Sequence, residues 1–488
     1  MSSLFDGLAI SHHFADLPSA FHTAVPPQPL ANSRLLHVNK ELAAQLGLDV
    51  SRLGEQEFLD VVSGQAPLPG GLTVSAVYSG HQFGVWAGQL GDGRAHLLGQ
   101  IDTPTGPQEL QLKGAGKTPY SRMGDGRAVL RSSVREYLAS EAMAGLGIAT
   151  SRALALVTSD TPVYRETVET GAIVTRVAPS FVRFGSFEHW ANDATRVREL
   201  LDYVLREFYP ELLVEGDSEQ ERVCRFLQEV THRSAEMVAD WQTVGFCHGV
   251  MNTDNMSILG LTIDYGPYGF MDRFRVNHVC NHSDNQGRYA WNAQPAIVHW
   301  NLYRLASALM VLDPDVDAVK ERLQTFEASF LKRYHANLQA KFGLRTWQAD
   351  DAQLVDDWWR LLHNSGADFT LSFRALAHAS KAPEVFLSLF EGSEDQAQAW
   401  WQAYSQRLKL DGSDTPEQRD AMNRVNPLYV LRNHLAEQAI QAAAKDDASE
   451  IDTLLMLLRD PYTERAGFEA YAMPPPEGSA ELAVSCSS

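Results

Sequence analysis

The order in which two hydrophobic patterns succeed one another most limits what this chain can fold into. From Val74 to about Val177 it consists of short strand-like runs broken by glycine: "HQFGVWAGQLGDGRAHLLGQID", "QELQLKG", "RALALVTS" and "TGAIVTRVA". One stretch among them, "DGRAVLRSSVREYLASEAMAGLGI", instead repeats apolar residues near helical spacing, at Leu130, Val134, Leu138, Met143 and Leu146. Gly145 and Gly147 supply its stop. From about residue 186 helical patterns dominate, as in "ATRVRELLDYVLREFYPELL", "EQERVCRFLQEVTHRSAEMVADWQTVG" and "AIVHWNLYRLASALMVL". Strands with one inserted helix, then a helical half, predict an α+β protein.

Residues 1–70 carry proline-rich punctuation ("AVPPQPLANS", "GQAPLPGG") and predict an N-terminal extension wrapped on a later domain. The divisions expected are 1–70 for that extension, 71–185 for a strand-rich lobe, 186–420 for a helical lobe, and 421–488 for a C-terminal helical extension with a mobile, cysteine-bearing tail. No internal repeat stands out.

The segment "CHGVMNTDNMSILGLTIDYGPYGF" gives the two halves a function class. A protein-kinase catalytic loop reads His-x-Asp, four residues, Asn, with a metal-binding Asp on the next strand. His248, Asn255 and Asp264 stand at those places, but Val250 occupies the position of the catalytic base. Together with the strand-then-helix order, the segment predicts a protein-kinase-like bilobal fold. Asn255 and Asp264 offer two oxygen ligands that suit Mg²⁺ bridging nucleotide phosphates.

Other residues fit a nucleotide site around that metal. "QLKGAGKT" (111–118) imitates a P-loop, but position 111 is Gln where the motif needs Gly, and Pro119 stands where a helix should begin. The better reading takes "ELQLK" as a strand that delivers Lys113 to phosphates. The helix after it offers Glu136 and Glu141 as holders of Lys113, and Glu136 is nearer the helix start. Gly91-Asp92-Gly93-Arg94 lies in a glycine-dotted hairpin whose backbone amides suit phosphate oxygens. Cys280, with His278 and His282, lacks a fourth ligand for zinc and reads as polar loop.

The charge balance excludes some partners. With 41 Lys+Arg against 61 Asp+Glu the net charge is −20, which repels nucleic acid and anionic membrane surfaces. No apolar run is long enough to span a bilayer and the N-terminus lacks a secretory pattern, so a cytoplasmic location is expected. Four cysteines are too few for a disulfide framework.

The blocks "YSGHQFGVWAGQLGDGRA", "LQLKGAGKTPYSRMGDGRAVLRSSVREYLASEAM", "HGVMNTDNMSILGLTIDYGPYGFMDRF" and the terminal "SCSS" together resemble the selenoprotein O family over nearly the whole chain. The resemblance implies a kinase-like fold without the usual Asp, and transfer of AMP from ATP to Ser, Thr or Tyr hydroxyls of proteins, with pyrophosphate leaving. It implies phosphate contacts from Lys113 (held by Glu136), from Gly91, Gly93 and Arg94, and from Asp125 and Gly126. Arg176 and Arg183 would grip the terminal phosphate of an ATP bound in reverse. Asn255 and Asp264 would bind Mg²⁺, or Mn²⁺ in its place, and Asp254 would accept the substrate proton. A disulfide between Cys280 and Cys486 is the family expectation. Two rival functions remain beside this one: a catalytically inactive nucleotide-binding scaffold, which Val250 favours, and an ordinary phosphotransferase, which Val250 opposes.

Overall fold

The computed structural model describes residues 3–476, 482, 484 and 485 of the chain. Cys486, and with it the expected disulfide, lies outside the described residues.

The strands are β1 (Ile10–Ser11), β2 (His22–Ala24), β3 (Arg34–Val38), β4 (Val74–Ala76), β5 (Ser79–Gln82), β6 (Val85–Gln89), β7 (Ala95–Thr103), β8 (Gly106–Lys113), β9 (Ala128–Val129), β10 (Arg152–Tyr164) and β11 (Val168–Ala178). The main sheet runs β2-β4-β7-β8-β11-β10-β3, with β1 beside β7 and β9 beside β11. β5 and β6 form a separate hairpin. Residues 1–70 therefore supply three strands (β1, β2 and β3) to the sheet built by the strands after them.

Alternation along the central strands decides what each face carries. Leu110 and Leu112 of β8 and Ile173 and Val177 of β11 point to one apolar cluster, closed by α1 (Lys40–Gln45) and α2 (Gln56–Val62). Ala172, Val174 and Ala178 join the other cluster, with α3 (Leu130–Gly145). Because both faces are covered, runs such as "ALALV" are apolar throughout. On β8 the same alternation places Glu109, Gln111 and Lys113 together on the face away from Leu110 and Leu112. The register with β11 sets Gln111 opposite Arg176 and Lys113 opposite Val174. A five-residue pattern, E-L-Q-L-K, thus carries a polar row toward the helical half and an apolar row toward the sheet's other cover.

The helical half contains α4 (Phe184–Glu188), α5 (Ala194–Phe208), α6 (Glu219–Val244), α7 (Gln294–Leu309) and α8 (Val316–Lys341), with further helices to Ser449–Arg459. α6 opens with a capping box in which Ser218 and Glu221 exchange side-chain and backbone bonds. It closes at Gly245, whose φ of 69° needs no Cβ and where one would meet the Phe369 ring at 2.9 Å. The chain then pairs Phe246–Cys247 with Gly269–Phe270, so that residues 248–268 form a loop held at both ends. Asp264 lies within this loop and not on a strand as the sequence suggests. Its φ of 59° is left-handed, which removes it from any ladder. The C-terminal helices Asn433–Ala443 and Ser449–Arg459 pack on α3. There Gly145 permits contact with the Leu458 carbonyl, which would stand 1.9 Å from any Cβ.

Candidate active site

One cavity of about 650 Å³ opens between the sheet, the loop 119–127 and the loop 248–268. Gly91, Gly93, Arg94, Lys113, Asp125, Gly126, Arg176, Arg183, Asp254, Asn255 and Asp264 all line it. Glu136 stands behind its wall. Residues far apart in sequence, from five separate segments, meet at this place.

The wall formed by the sheet is a buried charge network. The Lys113 ammonium lies 2.7 Å from Glu136 Oε2 and 3.6 Å from Asp264 Oδ1. Arg176 donates to Glu136 at 3.3 Å, to Asp264 and to Gln111. Arg183 donates to the other oxygen of Asp264 and, at 2.6 Å, to the backbone carbonyl of Asp254. Its guanidinium sits 4.7 Å over the Tyr78 ring, and that of Arg176 sits 5.1 Å over Phe181, so both arginines are held from the side. Glu141, the alternative holder of Lys113, instead receives Arg152 at 2.8 and 2.7 Å.

Three cations therefore face two carboxylates. Burial pulls the Lys113 ammonium below its ordinary value, with Glu136 working against that shift. Burial acts to raise the Asp264 carboxyl, but Arg183, Arg176 and Lys113 outweigh it and hold the group well below the usual carboxylate range. Asp92 has its Oδ2 on Ala76 N–H at 3.1 Å and on the Gln111 amide at 3.2 Å. Burial raises its carboxyl, against the pull of Arg183. The network keeps a positive surplus, which suits a polyphosphate.

The wall formed by the loop 248–268 is different. His248 is buried, with Nε2 at 2.9 Å from the Ile263 carbonyl and its ring stacked on Trp241. It braces the loop and does not line the cavity. Asp254 is 7 % exposed, with Oδ2 accepting from the Gln82 amide at 3.1 Å and a buried Oδ1 without a partner. Burial pushes it up to about 6. Asp254 and Asn255 are adjacent, yet both reach the cavity because a short 3₁₀ turn, Thr253–Asn255, carries them. Asn255 donates its amide to the Val250 carbonyl at 2.9 Å, which leaves Oδ1 as an unused acceptor.

The donor set fits a hard cation. Among the described residues no group of three His, Cys, Asp or Glu side chains is arranged for a metal. Mg²⁺ asks for less: one carboxylate, one amide oxygen and phosphate oxygens, with waters completing the shell. Asp264 and the free Oδ1 of Asn255 are the two protein oxygens at the cavity that would suit such a shell. Here both oxygens of Asp264 are held by Arg176 and Arg183.

Several cavity residues escaped the sequence reading. Gly-Asp-Gly-Arg-Ala occurs twice, at 91–95 and 124–128, and residues of both copies line the cavity. That repetition was the available signal for Arg127. Arg165 pairs with Asp125 at 2.7 Å and has no local motif. Arg122, exposed and with a φ of 50°, adds a cation in the loop after Tyr120. In the P-loop imitation no helix starts at Lys117. Thr118 donates to the Asp92 carbonyl at 2.8 Å, closing a loop. Cys280 is buried with a free thiol that donates to the Pro267 carbonyl at 3.0 Å, beneath the same loop.

Comparison with known proteins bears on this site. The family model described as protein adenylyltransferase SelO matches residues 5–459. A protein nucleotidyltransferase YdiU of Bordetella avium is 62% identical over 491 residues, covering 100% of both chains. Proteins of the same name are similar in Ralstonia nicotianae (49% identical, 97% of this chain and 95% of the relative) and Herminiimonas arsenicoxydans (48%, 99% and 97%).

Proposed function

The chain belongs to the protein adenylyltransferase SelO family, and we propose that it is a protein nucleotidyltransferase that moves AMP from ATP to Ser, Thr or Tyr hydroxyls. The observation that carries this reading is the division of the cavity. A cationic wall with surplus charge faces a loop whose Asp254 has one carboxylate oxygen free, while Val250 occupies the usual base position. We take the sheet-rich half over the helical half as a kinase-like arrangement in which ATP lies reversed.

In this reading Lys113, Arg176 and Arg183 bind the β- and γ-phosphates, and the arginines exchange part of their contact with Asp264 for phosphate oxygens. Planar guanidinium groups suit this because each offers two parallel donors and keeps its charge. Gly91 and Gly93 let backbone come close to the phosphates, since a Cβ at Gly91 would strike the Tyr120 ring at 2.5 Å. The α-phosphate then faces the loop wall. Asn255 and Asp264 would hold Mg²⁺, which supplies charge neutralisation to the phosphates and to departing pyrophosphate. Asp254 takes the proton from the acceptor hydroxyl as its oxygen bonds to the α-phosphorus and the bond to pyrophosphate breaks. Positioning and charge do most of the work in such transfers.

ATP labelled in turn on the α- and γ-phosphate tests the reading. Label from the α-phosphate in protein is the expected result, with an intact-mass gain of one AMP. Label from the γ-phosphate would replace it with a kinase, and label from neither with a nucleotide-binding scaffold.

A further inference from the structure

The hairpin β5–β6 stands outside the main sheet, beside the mouth of the cavity, and nothing in the nucleotide reading uses its outer side. Its inner side is tied to the loop wall. Gln82 bonds Asp254 at 3.1 Å, and the Phe83 N–H is received by Asn252 Oδ1 at 3.1 Å and by the Tyr289 hydroxyl at 3.0 Å. His81 N–H donates to Thr253 Oγ1 at 2.7 Å. The two turn residues, Phe83 and Gly84, have φ of 51° and 82°. Gly84 belongs in such a turn, and Arg288 packs where its Cβ would be. An aromatic residue at positive φ is strained, and it persists here because the loop wall holds its amide twice.

The tip is apolar and open on both of its faces, with Val85 opposite Gln82 on one and Trp86 opposite His81 on the other. Val85 is 70% exposed, Trp86 49% and Phe83 37%. Among the described residues no other strand pairs with β6, so its outer edge has free backbone donors and acceptors as far as the bulge at Gly88, where φ is 73°. A rigid, strained tip that exposes three large side chains around a turn, and whose Gln82 touches the candidate base, is poorly explained as a mere scaffold.

We propose that the protein acceptor docks on this tip. An extended segment of the acceptor lies along the edge Val85–Ala87 and sets consecutive apolar side chains, neighbouring its hydroxyl residue, against Val85 on one face and Trp86 on the other. Edge pairing supplies sequence-independent affinity and the apolar contact supplies preference. The inference rests on the adenylyl-transfer reading and names its second substrate: a hydroxyl flanked by aliphatic or aromatic residues in an extended chain. The cavity accounts for the position, because Gln82 and Phe83 line it together with Asp254.

The test uses two short fluorescein-labelled peptides, each with one serine, flanked by Val, Leu and Phe in one and by Asn and Gly in the other. Binding to the full chain is read by anisotropy, and label from the α-phosphate is read in parallel. The chain is expected to bind the apolar peptide about tenfold tighter, and V85S/W86A to bring it to the level of the polar one, the size of effect that an exposed Trp anchor gives. ATP affinity should be unchanged in the variant. If V85S/W86A loses ATP binding through misfolding, Val85→Ser alone decides, because its side chain is mostly in solvent and it should still weaken the apolar peptide about threefold. Equal binding of both peptides, or a preference that survives in the variant, overturns the proposal. Peptide preference without α-phosphate label sinks the transfer reading and leaves the docking site. Label transfer indifferent to Val85 and Trp86 does the reverse.

Discussion

Two buried carboxyls on the polar side of the sheet meet opposite fates. Glu109 of β8 accepts from the Phe181 N–H at 2.9 Å through one oxygen, while its other oxygen has no partner. Burial pushes it up to about 8, so near neutral pH it keeps its proton. Asp264 is also withdrawn from solvent, with 18% of its side chain open to the cavity, but three cations converge on it and it stays ionised. Burial works in the same direction on both, and the cations decide the difference. Charge is therefore concentrated at the cavity end of β8 and absent a few residues away. Taking charges out of water is costly, so the concentration marks the place where an ionic ligand is to be met.

Removing the carboxylate that the cations share should have the largest effect. Asp264→Ala leaves Arg183 buried without its counter-ion and Arg176 with Glu136 alone, and should cost about 3–5 kcal/mol of stability in chemical unfolding. Asp264→Asn keeps the shape and removes the charge. It should remain folded while α-phosphate transfer falls on the order of 10³-fold. A fully active Asp264→Asn would take Asp264 out of the site and leave the charge cluster a structural one.

Asp254 lies between the two cases, buried like Glu109 and lining the cavity like Asp264. Asp254→Asn should slow transfer by about 10²–10⁴-fold, as loss of a general base does. Melting should not fall, since only the Gln82 amide holds the side chain. An unaltered rate would reduce Asp254 to a bracket for Gln82.

Glu109 gives the pH-dependent arm of the comparison. Its folded value, about 8, lies above the ordinary 4.5. Below about 4.5 both states hold the proton and no penalty exists. As pH rises through the window the unfolded chain releases a proton that the folded chain keeps, so stability falls by about 1.4 kcal/mol per pH unit until about 8. Glu109→Gln should remove that slope, with urea unfolding at both ends of the window as the measurement. A gap between variant and wild type that does not widen with pH would mean that Glu109 is solvated in the folded state.

Local patterns were legible in the sequence, while partners distant along the chain were less so. The helix Leu130–Gly145 was readable from apolar spacing, and the strand ending at Lys113 from E-L-Q-L-K. Asn255 and Asp264 stood out through the order of the loop that carries them. The left-handed backbone at Asp264 had no signal, since Asp adopts it only where surroundings enforce it. The attachment of Arg176 and Arg183 to Asp264 was also hidden, because it joins β11 and the turn before α4 to a loop more than eighty residues later. The contribution of residues 1–70 to the sheet was masked by proline punctuation, although β1, β2 and β3 are short edge and border pieces that tolerate such flanks.

The smallest expected effect separates two lysines that the sequence makes look alike. Lys113 ends β8 inside the cavity, whereas Lys117 is exposed on the loop after it, outside the cavity lining, in the place a P-loop would use. Its backbone N–H meets Gln28 at 3.3 Å, and no helix N-terminus lies behind it to add a positive field. Lys117→Ala should change ATP affinity and stability by less than about 0.5 kcal/mol. Lys113→Ala should weaken ATP binding by an order of magnitude or more, because it removes a buried charge beside Glu136 and Asp264. Calorimetric titration of ATP into the two variants compares them directly. Equal losses would mean that the phosphates reach past the sheet wall to the loop 114–127, and would shift the site away from the charge network.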